Sequence, residues 1–149
     1  MFQELNKNFN INNDRVLVMS YQNKSIMSDI DDTNLYLEKR IVDIFLSIGI
    51  SAHLQGYQYL KESVKLIIKE PEYINSITKK MYPKIAEVFS TTACRVERGI
   101  RHAIDVAFSK GKIIQLNKIF GVEIFSQNDK PTNAEFVALI ADKLSLETR

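Results

Sequence analysis

The sequence has no tryptophan, a single cysteine, two histidines, three prolines and only five glycines among its 149 residues. Each shortage excludes something. Cys94 has no partner for an internal disulfide, and His53 and His102 lie too far apart in sequence to form a recognisable metal-ligand pattern, so neither metal nor cofactor is expected. A lone thiol of this kind fits a reducing, cytoplasmic setting. Few glycines and prolines mean few helix breakers, which argues against a many-turned sandwich or barrel and for an all-α chain. The N-terminus, MFQELNKNFN, lacks the charged-then-apolar order of a signal peptide, and no apolar run approaches the roughly 18 residues that span a bilayer. A glycine-rich phosphate loop, a paired-carboxylate site and a nucleophile elbow are all missing, so no enzyme is indicated.

What remains is ordinary apolar content, 45% of residues, sufficient for one compact core, and a net charge of only +2 that identifies no partner. The charge is nevertheless uneven. Between Ser76 and Lys112 stand Lys79, Lys80, Lys84, Arg95, Arg98, Arg101, Lys110 and Lys112 against Glu87, Glu97 and Asp105. A local basic excess of this kind is the electrostatic footprint of a nucleic-acid site, although charged helix faces are commonly just solvated.

Residues 1–34 are rich in Asn, Asp, Ser and Gln, with one short apolar run from Val16 to Met19, and read as a linker or tail holding at most a short strand. The folded domain is expected over residues 35–149, with six helices. Leu37, Ile41, Ile44, Phe45 and Ile48 recur at spacings of three and four, and Gly49 can close that helix in a left-handed conformation. Tyr57, Tyr59, Leu60, Val64, Ile67 and Ile68 form a second amphipathic run, bounded by Pro71. A third helix, capped by Asn75 or Ser76, carries Ile77, Met81, Ile85, Ala86 and Phe89, with Pro83 kinking it or restarting it as a first-turn residue. Val96, Ile100, Ala103, Ile104 and Ala107 define a fourth helix that starts near Thr92 and ends before Gly111. A short fifth is expected over Ile113 to Phe120, stopped by Gly121. The sixth follows Pro131 and a capping box in which Thr132 and Glu135 satisfy each other's amides.

The stretch from Ile85 to Ile100 has the pattern of a helix-turn-helix: a small residue where two helices approach, Ala86; a polar turn, at Ser90; and an apolar inner-face residue on the second helix, Val96. Ser90 occupies a position where many such motifs have Gly. Burying Val96, Ile100, Ala103 and Ile104 turns Arg95, Glu97, Arg98, Arg101 and His102 outward or to the flanks. Arg can donate two parallel hydrogen bonds to guanine, and Glu can accept from cytosine. Thr91 and Thr92, at the helix start, can offer hydroxyls and free amides to a phosphate. The plainer alternative is a solvated face with local ion pairs; the turn signature beside an arginine-rich face favours DNA. Cys94 has no partner base in view for a reactive thiol, Tyr57 and Tyr59 are better explained as core or rim than as stacking residues, and His53 as a structural residue of the loop before Gly56.

These residues resemble the C-terminal effector domain of the stage-zero sporulation protein A family, the response regulators of endospore-forming bacteria. The likeness covers about Leu37 to Glu147. It is carried by Ile48-Gly49-Ile50-Ser51-Ala52-His53-Leu54-Gln55-Gly56-Tyr57-Gln58-Tyr59-Leu60, Tyr82-Pro83-Lys84-Ile85-Ala86, Arg95-Val96-Glu97-Arg98, Ile100-Arg101-His102-Ala103-Ile104 and Lys130-Pro131-Thr132-Asn133-Ala134-Glu135-Phe136. The resemblance implies a six-helix domain whose third and fourth helices bind double-stranded DNA, as a homodimer on tandem boxes, and regulate transcription of sporulation genes as activator or repressor. It implies base reading by Arg95, Glu97 and Arg98, and backbone contacts by Thr91, Thr92, Arg101, His102, Lys130 and Thr132. It also implies an RNA polymerase sigma-factor surface that includes Gly111, Gln115, Phe120 and Ile124, and dimer contacts through the last helix. Two departures stand out: Gly99 replaces a usual Ala, a change worth about 1 kcal/mol of helix propensity, and Phe108 replaces a usual Trp. Family members also carry a phosphoacceptor receiver, which 34 residues are too few to make. The expectation is therefore a truncated form or a paralogue without phosphorylation control, and an alternative role is an interaction module that forms mixed dimers with a full-length relative.

Overall fold

The computed structural model describes the backbone of residues 11–148 and the side chains from Met27 onward. Among the described residues there are six α-helices and no strand: α1 Ile11–Ser47, α2 Gln55–Lys69, α3 Tyr82–Val88, α4 Ala93–Ser109, α5 Gln115–Phe120 and α6 Asn133–Glu147. The chain divides into two compact units, Met1–Tyr36 and Leu37–Arg149.

In the first unit, residues 11–36 are helical, so Val16 to Met19 form no strand and the first helix begins well before Leu35. The reason is the same shortage of breakers: the chain contains no Gly or Pro ahead of Gly49, and nothing stops helix propagation once started. Met27, Ile30 and Leu35 are exposed on it. The first ten residues of the expected tail lie outside the described residues.

The second unit holds the core, and the periodicities anticipate it closely. Ile41 and Phe45 of α1, Ile48 just past its end, Leu60 and Val64 of α2, Val96, Ile100 and Ala103 of α4, and Phe136, Ile140 and Leu144 of α6 are fully buried. Ser63, the single buried polar side chain among the described residues, donates its hydroxyl to the Tyr59 carbonyl at 2.6 Å. Glu38 of α1 faces Lys61 and Lys65 of α2 at 3.2 and 2.5 Å. Burial pushes the Glu38 carboxyl up, but the hydrogen bonds and charges of the two lysines outweigh it and leave it below its ordinary value.

The third expected helix is broken into pieces. A 3-10 turn spans Pro71–Ser76, a wide π turn spans Ile77–Met81, and α3 restarts at Tyr82 with Pro83 in its first turn, where the missing amide proton costs nothing. The fourth helix begins as anticipated at its Thr92 cap, and the Thr132–Glu135 capping box is fully formed. The fifth is shorter than expected, starting at Gln115 rather than Ile113.

Two details of packing fix the helix-turn-helix. After α3 the amide of Thr91 donates to the Ala86 carbonyl at 2.9 Å and that of Ser90 to Glu87 at 3.3 Å, the paired bonds of a Schellman close. Ser90 therefore sits at φ 52°, the left-handed region, which costs an L-residue with a Cβ about 1 kcal/mol. The second detail is the crossing of α2 and α4. A Cβ built on Gly56 would lie 2.0 Å from the Gly99 carbonyl oxygen, and one built on Gly99 would lie 2.8 Å from the Tyr59 ring. The two helices thus meet backbone to backbone at a pair of glycines.

Replacing Ser90 by Gly should raise the melting temperature by roughly 2–4 °C, the equivalent of about 1 kcal/mol in a domain of this size, and Ser90→Val should lower it. A circular-dichroism melt checks both; no gain from Gly would contradict a strained turn. Gly56→Ala should cost about 3 kcal/mol or more, because a backbone oxygen cannot move aside. Gly99→Ala should also destabilise, but less, since a gain of about 1 kcal/mol in helix propensity offsets part of the cost of moving the packed Tyr59 ring edge. Equal losses in the two variants would contradict the crossing.

Candidate nucleic-acid interface

The site is built on α4 and on what surrounds its first three turns. Thr92 has extended backbone, and its hydroxyl oxygen accepts from the Arg95 amide at 3.2 Å, so the helix starts with its first turn fixed. Val96, Ile100, Ala103 and Ile104 face the core; Arg95, Arg98, Arg101 and His102 are exposed. The expected outward face is present as a set of exposed basic side chains.

Two hollows flank that face. One, of about 490 Å³, is lined by Gln55 and Tyr59 of α2, the turn residues Phe89, Ser90 and Thr91, and Arg95 and Arg98. Its floor is rigid, because the Tyr59 and Phe89 rings meet edge to face at 5.3 Å. The other, of about 400 Å³, brings Glu97, Arg101 and Asp105 of α4 together with Lys130, Thr132 and Asn133 of the segment leading into α6, and with Thr78 and Tyr82. The structure thus gathers Thr91, Arg95 and Arg98 around one hollow, and Glu97, Arg101, Lys130 and Thr132 around the other. Thr92 and His102 are exposed on the same helix but line neither.

The charges in the second hollow are not idle. Arg101 holds the Oε1 atom of the half-buried Glu97 carboxylate one turn back, and Lys130 holds Asp105 at 2.6 Å. One oxygen of Glu97 is thus engaged by a neighbouring cation before any base could present a donor. Both pairs are substantially exposed, so each contributes little to stability, and an anion of higher charge density can compete for the cation. The amide of Thr91 is also committed, to Ala86, and so is not free for a phosphate as the sequence suggested. The Thr92 hydroxyl, which accepts from Arg95, keeps its proton for donation.

Gly111, Gln115, Phe120 and Ile124 lie along a different stretch: the left-handed close of α4, the two ends of α5, and the loop beyond it. Phe120 is half-buried, and Val122 and Ile124 are exposed. Asn117 holds this loop, its Oδ1 accepting from the Ile124 and Phe125 amides at 2.9 and 3.0 Å and its Nδ2 donating to the Phe125 carbonyl at 2.7 Å.

Sequence reasoning missed Gln55, Asn117, Asn133 and the partner of Lys130, whereas the pairing of Arg101 with Glu97 is a local ion pair of the kind named as the plainer alternative. For Asn117 a signal existed: asparagine is a poor helix former, and its presence inside a six-residue helix points to a side chain engaged with backbone. Gln55 and Asp105 carry no such signal, because only the fold brings them to the site.

Among the described residues no group of His, Cys, Asp and Glu is arranged to hold a metal ion, and no helix is long and apolar enough to cross a membrane. The six helices among the described residues, a tight turn between α3 and α4, and an exposed arginine face on the second of these two define a helix-turn-helix domain. The model of the family described as sporulation initiation factor Spo0A C terminal matches residues 41–144. The chain belongs to that family, which is one of DNA-binding domains of sporulation regulators.

If Lys130 reaches a phosphate, Asp105 competes for it. Asp105→Asn should then strengthen binding to duplex DNA a few-fold at low salt and steepen the log–log salt dependence by up to about 0.9, one phosphate's worth, with little change in melting temperature. A salt titration reads this directly, and an unchanged slope would place Lys130 off the DNA.

Proposed function

We propose that this chain is a sequence-specific transcription regulator of sporulation genes that reads the major groove with the helix spanning residues 92–109. The observation that carries the reading is the exposure of Arg95 and Arg98 on the first two turns of α4, beside the helix-turn-helix turn and opposite a fully buried apolar stripe. These are the side chains for bidentate contact with guanine, and Glu97 can accept from cytosine through its second carboxylate oxygen. Thr91, Thr92, Arg101, His102, Lys130 and Thr132 surround this face as backbone contacts that set register without reading sequence. A homodimer on tandem boxes, with contacts through α6, is consistent with the exposure of Leu146 near the end of that helix.

A second reading, a non-enzymatic interaction module that contacts RNA polymerase sigma factor or forms mixed dimers with a full-length relative, is favoured by one observation. Asn117 fixes a loop that exposes Val122 and Ile124, an apolar tip left uncovered among the described residues. The two readings are compatible in one protein, but they separate under mutation.

Binding is measured to a duplex carrying the family's tandem box and to a scrambled duplex, each at two salt concentrations. The wild type should prefer the box, and Arg98→Ala should reduce that preference at least tenfold, the loss expected of one bidentate contact, while binding to scrambled DNA weakens far less. Equal, weak binding of the wild type to both duplexes would transfer the case to the interaction module.

A further inference from the structure

Asn133 is the first residue of α6, one position past the Thr132 cap, and at sequence level it is merely the second letter of a capping box. In the structure its half-buried amide does something the box does not need. Its Nδ2 atom donates to the Tyr82 hydroxyl at 3.2 Å and to the backbone carbonyl of Glu97 at 3.1 Å. The orientation of the amide is not arbitrary, because a carbonyl only accepts, so the nitrogen must face Glu97. Its two protons go to the two helices of the helix-turn-helix, one to the start of α3 and one to the turn of α4 that carries Arg95 and Arg98.

We propose that Asn133 is a positioning residue for DNA reading: it fixes the rotation of the reading turn of α4 relative to α3. The inference rests on the DNA-reading function proposed above. Bidentate recognition requires side chains held within about 0.5 Å of the productive geometry. The buried stripe of α4 sets which face is outward but resists small rotations weakly, since apolar contacts are non-directional. A hydrogen bond to one named carbonyl is directional and supplies that missing constraint. The anchor itself is firm: Pro131 is buried, and the Thr132–Glu135 box fixes the start of α6. Tyr82 is nearly buried at 6% exposure, so its hydroxyl cannot drift from the junction.

The test compares wild type, Asn133→Ala, Tyr82→Phe and the double variant for affinity to boxed and scrambled duplexes across salt, with thermal melts of each. Tyr82→Phe removes only an oxygen and keeps the packed ring, so it is the variant secure against misfolding. Asn133→Ala should lower the ratio of boxed to scrambled affinity about tenfold, leaving scrambled binding and its salt slope unchanged. Tyr82→Phe should lower the ratio about threefold, and the double variant should be no worse than Asn133→Ala alone, because both substitutions break one arrangement. A purely structural role predicts a lower melting temperature with both duplexes weakened by the same factor, and that result, or an unchanged ratio in both single variants, overturns the proposal. Absence of any preference in the wild type would remove the DNA-reading function itself, a failure distinct from a discriminating wild type whose variants discriminate equally well.

Discussion

The backbone contact between α2 and α4 at Gly56 and Gly99 is the constraint on which the rest of the domain depends. No side chain separates the helices there, so the Tyr59 ring, one turn along α2, lies directly against the Gly99 backbone on one side. Its edge meets Phe89 on the other. Phe89 is the last residue before the left-handed turn at Ser90, so one ring joins the core helix, the turn and the second helix of the motif. The arginines are presented by a helix whose distance from the core is set by two missing methyl groups. Gly99, which on propensity alone is a weak point of α4, is better understood as the residue that allows the close approach: the cost in helix entropy is local, while the gain is a fixed crossing.

Much of this fold was legible in the sequence, because its elements announce themselves with local signals. The caps at Thr92 and Thr132, the left-handed closes at Gly49, Gly111 and Gly121, and the spacing of the buried stripes require only neighbouring residues to be read. The misreadings have physical causes too. The polar composition of residues 11–34 suggested a tail, yet helix formation responds to the absence of breakers as well as to amphipathicity, and this stretch has none. The run from Pro71 to Val88 keeps an apolar period through a 3-10 turn and a π turn, because Ile77, Met81 and Ile85 find the same core whichever hydrogen-bond pattern joins them. Periodicity reports the face, not the number of residues per turn.

The site was legible in one dimension only. Once Val96 and Ile100 are assigned inward, the outward placement of Arg95 and Arg98 follows from 3.6 residues per turn. Their neighbours do not follow. Lys130 and Asp105 are 25 positions apart, and Asn133 meets Glu97 across 36; no period links such residues. The pairing of Arg101 with Glu97 spans a single helical turn and is a local ion pair of the kind the plain reading of that face expects. That reading and the DNA reading are therefore not rivals. The face is arginine-rich, and part of it is internally paired.

This partial pairing bears on how specificity arises. Nonspecific DNA affinity grows with every cation that can displace a counterion from the phosphate backbone, and it grows alike on every sequence. If Arg101 and Lys130 contact phosphates as proposed, the carboxylates that hold them restrain that common term. No ion pair is seen at Arg95 or Arg98 among the described residues, so on the proposed reading, in which these two arginines contact bases, the term that differs between sequences is left unrestrained. With these cations paired, the domain keeps less of its local basic excess for general attraction to DNA. Its discrimination must then come from geometry, which returns the burden to the glycine crossing, the Ser90 turn and the amide of Asn133, the three features that decide where the second turn of α4 stands.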